Sequence, residues 1–152
     1  MIRLRPARPD DEPVLLELTN RLALFQPPPW RTREEICAAD HPILLGALRH
    51  PGDDSSIIVA EVHGAVAGYV FSTTKQDYFT GADHAHIEVL TVSERAEGKG
   101  VGRALLQGAE AWARARGYPH VTLNVFAVNE RARAIYERSG YGQETVHYLK
   151  PL

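Results

Sequence analysis

A chain of 152 residues with 44% apolar and 24% charged side chains has the balance of one soluble globular unit with a sizeable core. A formal charge of −2 without a basic run argues against nucleic acid as a main partner, and no apolar stretch reaches membrane-spanning length. The single cysteine, Cys37, rules out an internal disulfide and suits a reducing, cytoplasmic setting; Met1-Ile2-Arg3-Leu4-Arg5 lacks the apolar core of a secretory signal.

Ile2 to Arg5 alternates apolar and polar residues, as a half-buried strand does. Asp10, Asp11 and Glu12 place negative charge at a helix start, with Pro13 in its first turn. Val14, Leu15, Leu18, Leu22 and Phe25 then predict an amphipathic helix over residues 11–25, ended by Pro27-Pro28-Pro29. Thr32 and Glu35 have the spacing of a capping box for a short helix to about Ala39, in which Cys37 is expected as a buried structural thiol. Ile43, Leu44, Leu45 and Leu48 suggest another helical turn before the loop Pro51-Gly52-Asp53-Asp54. Two β-rich runs, Ile57 to Val62 and Ala65 to Thr73, flank His63-Gly64 and predict a tight hairpin. A polar connection over 75–83 carries Tyr78 and Phe79, and a strand follows over 84–92.

After Gly98-Lys99-Gly100-Val101-Gly102, the residues Val101, Leu105, Leu106, Ala109, Trp112 and Ala113 form one apolar stripe of a helix ending near Gly117. Val121, Leu123 and Val125 predict another strand. Asn129 is the expected N-cap of a last helix stopped at Gly140, and Thr145 to Leu149 reads as a final strand. The order β-α-α-β-β-β-α-β-α-β predicts an α/β fold, a mixed sheet with helices on its faces.

The glycine segment carries the most chemistry. Three glycines at alternate positions allow close backbone approach to a bulky anion, and the helix behind them aims its unpaired N–H groups at that anion. Strand, glycine turn and helix in that order make a diphosphate cradle. A P-loop needs Ser or Thr after Gly-Lys, where this chain has Gly100. A dinucleotide fingerprint needs a third glycine where this chain has Arg103.

From about Ile87 to Tyr141 the sequence resembles the GCN5-related N-acetyltransferase (GNAT) superfamily. The family pattern Gln/Arg-x-x-Gly-x-Gly/Ala corresponds to Glu97-Gly98-Lys99-Gly100-Val101-Gly102, preceded by Leu90-Thr91-Val92 and followed by Arg103-Ala104-Leu105-Leu106. A second block, an Asn with a Tyr seven residues later near a Gly-aromatic pair, corresponds to Asn129, Tyr136 and Gly140-Tyr141. The resemblance implies the GNAT acyl-CoA N-acyltransferase fold, a single N-acetyltransferase domain over 1–152, acetyl-CoA as cosubstrate without a metal, and an amine acceptor. Members are often homodimers.

Residue by residue, the resemblance implies that Glu97 to Arg103, Asn129 and Tyr136 hold coenzyme A. Leu90, Thr91 and Val92 pair with its pantetheine arm, the Leu90 N–H polarising the thioester carbonyl. A bulge in that strand makes room for the arm. Glu97 stands where the family carries Gln or Arg. Its side chain is expected to turn to solvent, with Lys99 and Arg103 supplying positive charge. Tyr136 is the candidate general acid for the leaving thiolate, set against a packing role. Glu88 shares a strand face with His84 and His86 and is the candidate base, directly or through water, set against an ion-paired acid. His84, His86 and Glu88 also have the chemistry of metal ligands, but such sites usually recruit a ligand from another element. Phe25, Trp30, Tyr78 and Phe79 are candidates for lining an acceptor pocket. Direct amine attack in a ternary complex is the leading reading. An acyl-CoA-binding module without catalysis, and transfer of a longer acyl group, are its rivals.

Overall fold

In the computed structural model, which describes residues 1–152, the alternating segments assemble into one five-stranded sheet. Its strands are β1 (Ile2–Pro6), β2 (Ser55–Val62), β3 (Ala65–Gln76), β4 (Asp83–Val92) and β5 (Val121–Leu123), in spatial order β1-β2-β3-β4-β5. The first four run antiparallel to their neighbours, and β5 runs parallel to β4. The hairpin between β2 and β3 turns on His63 (φ 52°) and Gly64 (φ 78°), both left-handed, as a two-residue turn matched to strand twist requires.

Helices α1 (Glu12–Thr19), α2 (Arg33–Ala38), α3 (His41–Arg49), α4 (Val101–Ala115) and α5 (Glu130–Arg138) supply the layers. The period-two pleat sends neighbouring β3 residues to opposite faces. On one face Val70 joins Ala60 and Ile87 against Val101, Leu105, Leu106 and Ala109 of α4, with Tyr136 and Tyr141 at the margin. On the other, Tyr69 and Phe71 join Val59 and Val89 against Leu15 and Leu18 of α1 and Leu44 and Leu48 of α3. The fold is thus α/β with helices on both faces of a mixed sheet, as the sequence predicts.

Thr32 and Glu35 form the capping box of α2 by exchanging side chain-to-backbone bonds of 3.1 and 2.9 Å. Cys37 on that helix is half-buried rather than buried, its thiol donating to the Asn20 carbonyl at 3.4 Å. The first helix is shorter than predicted. Thr19 Oγ1 bonds back to the Leu15 carbonyl at 2.7 Å, and the chain tightens into a 3-10 turn over Asn20–Ala23.

The predicted final strand does not form. Residues 145–149 pair with nothing, and Val146 and Tyr148 are 65% and 90% exposed. Likewise β5 ends at Leu123 instead of reaching Val125. Alternation alone does not make a strand without a hydrogen-bonded neighbour and a covered face. No helix is long and apolar enough to cross a membrane.

Candidate active site

The site begins with a break in the sheet. Phe71 faces Val89 and Ser72 faces Ile87, so Glu88 has no partner on β3 and forms a β-bulge. Parallel pairing with β5 stops at the same place, with Ile87 opposite Leu123. Beyond it, Val89 to Val92 have a strand neighbour on the β3 side alone. The edge left open carries Leu90, Thr91 and Val92. Two of these are tied to the α1 side: Thr91 is buried and its Oγ1 donates to the Leu18 carbonyl (3.1 Å), and Arg21 Nε donates to the Val92 carbonyl (2.7 Å). The Thr91 side chain and the Val92 carbonyl are therefore committed within the fold, and Leu90 carries none of these ties.

Gly68 lies opposite Val92 and explains how β3 stays close to this half-paired strand. A Cβ at Gly68 would sit 2.7 Å from the Thr91 carbonyl oxygen and 3.2 Å from Val92 Cα.

The glycine turn follows β4. Gly98 (φ 71°) and Gly100 (φ 83°) are left-handed, a conformation that L side chains resist, and Gly100 is the N-cap of α4 without any side-chain cap. Lys99 N–H reaches the Ala96 carbonyl at 3.4 Å and Ala104 N–H the Gly100 carbonyl at 3.0 Å. The amides of Gly98, Gly100, Val101, Gly102 and Arg103 donate to no other main-chain group. Unpaired donors at the positive end of a 15-residue helix suit a diphosphate. Nothing lies within 4 Å of where a Gly98 side chain would begin, so an anion can approach the backbone there. Lys99 and Arg103 are exposed and form no ion pair.

Glu97 departs from expectation. Its carboxylate does not simply face solvent but lies between Arg21 (2.6 Å) and Arg131 (3.2 Å). The Arg131 hydrogen bond, ahead of the charges of both arginines, holds it below the usual carboxylate range. The cradle's one acidic side chain is thus neutralised locally, and Arg21 links it to the Val92 carbonyl.

Asn129 accepts the Ala132 N–H at 3.3 Å and caps α5, which leaves its amide NH2 uncommitted. Seven residues on, the Tyr136 ring packs at the margin of the α4 core and meets Tyr141 edge-on at 6.0 Å. Burial raises the Tyr136 phenol above its ordinary range, so it carries its proton at neutral pH.

Across the bulge, the Glu88 carboxylate accepts from Thr73 Oγ1 (2.9 Å) and pairs with Lys75 Nζ (3.2 Å), with His86 Nε2 at 4.0 Å. Sequence reasoning missed the groups that α3 brings to this side. Burial, then the like charge of Glu88, raises Asp40 at the start of α3. The buried His41 Nε2 has no hydrogen-bond partner. Tyr69, its hydroxyl bonded to Thr19, is pushed up to about 12 by burial. Only the apolar period of α3 was visible in the sequence; nothing local joined Asp40 and His41 to Glu88.

His84, His86 and Glu88 do not converge on one point. The Thr122 hydroxyl lies between the two imidazoles, 3.1 Å from His84 Nε2 and 2.7 Å from His86 Nδ1. Tyr78 and Phe79 project from the β3–β4 loop, 93% and 74% exposed, edge to face with one another. Phe25 stacks on Phe126 at 5.2 Å, and Trp30 is exposed.

The sheet parts at a bulge, beside a glycine turn that opens a helix. The sequence profile of the acetyltransferase (GNAT) family matches residues 15–141, and the chain belongs to that family. It is 28% identical over 152 residues to an uncharacterized N-acetyltransferase of Bacillus subtilis, YhfO, covering 97% of this chain and 95% of that one. A mycothiol acetyltransferase of Beutenbergia cavernae is 49% identical over 61 residues, 40% of this chain and 20% of the relative, so that the chain spans about a fifth of that protein. Among solved structures, a putative acetyl transferase from Pyrococcus furiosus superposes with a TM-score of 0.78 over all of both chains at 24% identity. Glucosamine-6-phosphate N-acetyltransferase from Arabidopsis thaliana gives 0.72 at 21% identity, over 99% of this chain and 98% of that one. At those identities the likeness concerns the fold.

Proposed function

We propose that this protein is an acetyl-CoA-dependent N-acetyltransferase that works by direct attack of an amine in a ternary complex. The observation that carries the reading is the conjunction of the open β4 edge with the unpaired amides of Gly98 and of Gly100 to Arg103 at its end. Those amides, with Lys99 and Arg103, are the seat for the diphosphate, and the Asn129 NH2 is a further donor. The carrier supplies an acetyl thioester, an activated acyl group with a thiolate leaving group.

Glu88 takes the proton from the acceptor ammonium, with Asp40 helping to hold that cation before it is neutralised. The Leu90 N–H donates to the carbonyl oxygen as negative charge builds there. The amine nitrogen bonds to the carbonyl carbon, the carbon–sulfur bond breaks, and Tyr136 gives its phenolic proton to the departing sulfur; the second proton shed by the nitrogen as it becomes an amide restores the phenol, and Glu88 releases the first to solvent. Two carboxylates with a lysine facing them favour a cationic acceptor over an anionic one.

Free thiol release from acetyl-CoA, measured across amino acids, polyamines, aminoglycosides and peptide N-termini, tests the reading. Sustained release with at least one amine is expected. Tight coenzyme A binding with no release for any amine would favour a non-catalytic acyl-CoA sensor instead.

A further inference from the structure

The β3–β4 loop, the start of β4 and the approach to β5 bring Asp77, His84 and His120 together, one ligand atom from each lying within 4.8 Å of the others. The three residues come from three segments, which His84 and His86 on their single strand lacked. Each is held in place by the fold. Asp77 Oδ1 accepts from Phe79 N–H (2.9 Å), Thr80 N–H (2.8 Å) and Thr80 Oγ1 (3.1 Å). Asp77 Oδ2 is left facing His120 Nε2 at 3.6 Å. His84 is buried at 7% exposure; Thr122 engages its Nε2, and its Nδ1 is buried without any hydrogen-bond partner. The His120 backbone is fixed by its carbonyl, which accepts the Ala85 N–H at 3.3 Å, while its ring stacks on His84 at 4.7 Å.

We infer that Asp77, His84 and His120 form a divalent transition-metal site, with zinc as the fitting ion. Two imidazoles and a carboxylate suit zinc, and ligand bonds of about 2.0–2.2 Å require closure of roughly an ångström, which the exposed His120 ring can provide. The orphaned Nδ1 is the second sign. A buried ring nitrogen without a partner costs stability unless something meets it, and a cation does so while Thr122 orients the other nitrogen. Solvent completes the coordination shell. The site lies at the paired end of β4 and β5, away from the bulge, so the ion pins the β3–β4 loop to the root of β5 and takes no part in acetyl transfer.

Untagged protein, stripped with chelator, is titrated with zinc by calorimetry and with cobalt(II) by visible absorption. Expected are one ion per chain, ligand-field bands of a low-coordinate cobalt site, and a melting temperature that rises with metal. His120→Ala is expected to weaken binding at least about tenfold. Asp77→Asn, which keeps an oxygen for the loop amides, weakens it similarly, whereas His147→Ala in the exposed tail changes nothing. No binding by the wild type, or binding that survives both His120→Ala and Asp77→Asn, would overturn the inference and leave an ion pair beside two stacked imidazoles.

Discussion

The two halves of β4 behave as different strands. From Asp83 to Ile87 the chain is bracketed by β3 and β5, and its polar side chains are tied across to the next strand through Thr122. From Glu88 to Val92 one neighbour is gone, a bulge has turned the strand, and the remaining ties run to α1 and Arg21. Full pairing uses up the main chain's hydrogen-bonding capacity. The half with capacity left over is where the reactive groups gather. A single register slip of one residue separates scaffold from site.

Substitutions can break that division or sharpen it. The largest effect is expected at Tyr136, at the margin of the α4 core: Tyr136→Phe lowers kcat by about a hundredfold while coenzyme A affinity stays within about twofold. Steady-state kinetics beside equilibrium binding checks it, and unchanged turnover reduces Tyr136 to packing. Next comes Gly68, which holds the open half to its one partner. Gly68→Ala forces a methyl against the Thr91 carbonyl and destabilises the fold by about 1–3 kcal/mol, read by urea unfolding. Glu88→Gln should lower kcat/KM about tenfold near neutrality, within the range for general-base loss, and alter the shape of the pH–rate profile. A profile identical to wild type removes Glu88 from the chemistry.

The smallest effect lies away from β4, where the Arg5 side chain hydrogen-bonds Asp11 at 2.8 Å and lowers its pKa. A carboxyl whose folded pKa is depressed contributes stability that is whole above its unfolded value, about 3.9, and lost as pH falls through the folded one. The melting-temperature gap between wild type and Asp11→Asn should therefore persist from pH 7 to about pH 5 and shrink as pH falls below about 4.

Much of this arrangement is local and so was legible in residue order. The glycine turn, the α4 stripe, the capping box at Thr32 and the His63-Gly64 hairpin each depend on residues a few positions apart. The bulge depends on how β3 and β4 slide against each other, which no run of residues announces; only family resemblance pointed to it. Asp40 feels the charge of Glu88 because α3 packs on the sheet, and Glu97 finds Arg21 and Arg131 across 76 and 34 residues. The expectation that Glu97 turns to solvent failed for that reason: local spacing says where a charge is, and tertiary packing says what answers it. Thr145 to Leu149 erred the other way, an alternating pattern without a neighbour to pair with.

A grip built from amides rather than side chains has a consequence for how such a protein changes over generations. Mutation cannot delete an N–H except by introducing proline, so the donor seat proposed above is insulated from drift in the rest of the sequence. Asp40 and His41, by contrast, are each one codon change from new chemistry. On the proposed reading the fold explores fresh acceptors while its hold on the donor stays as it was, and laboratory selection for altered specificity should begin at α3.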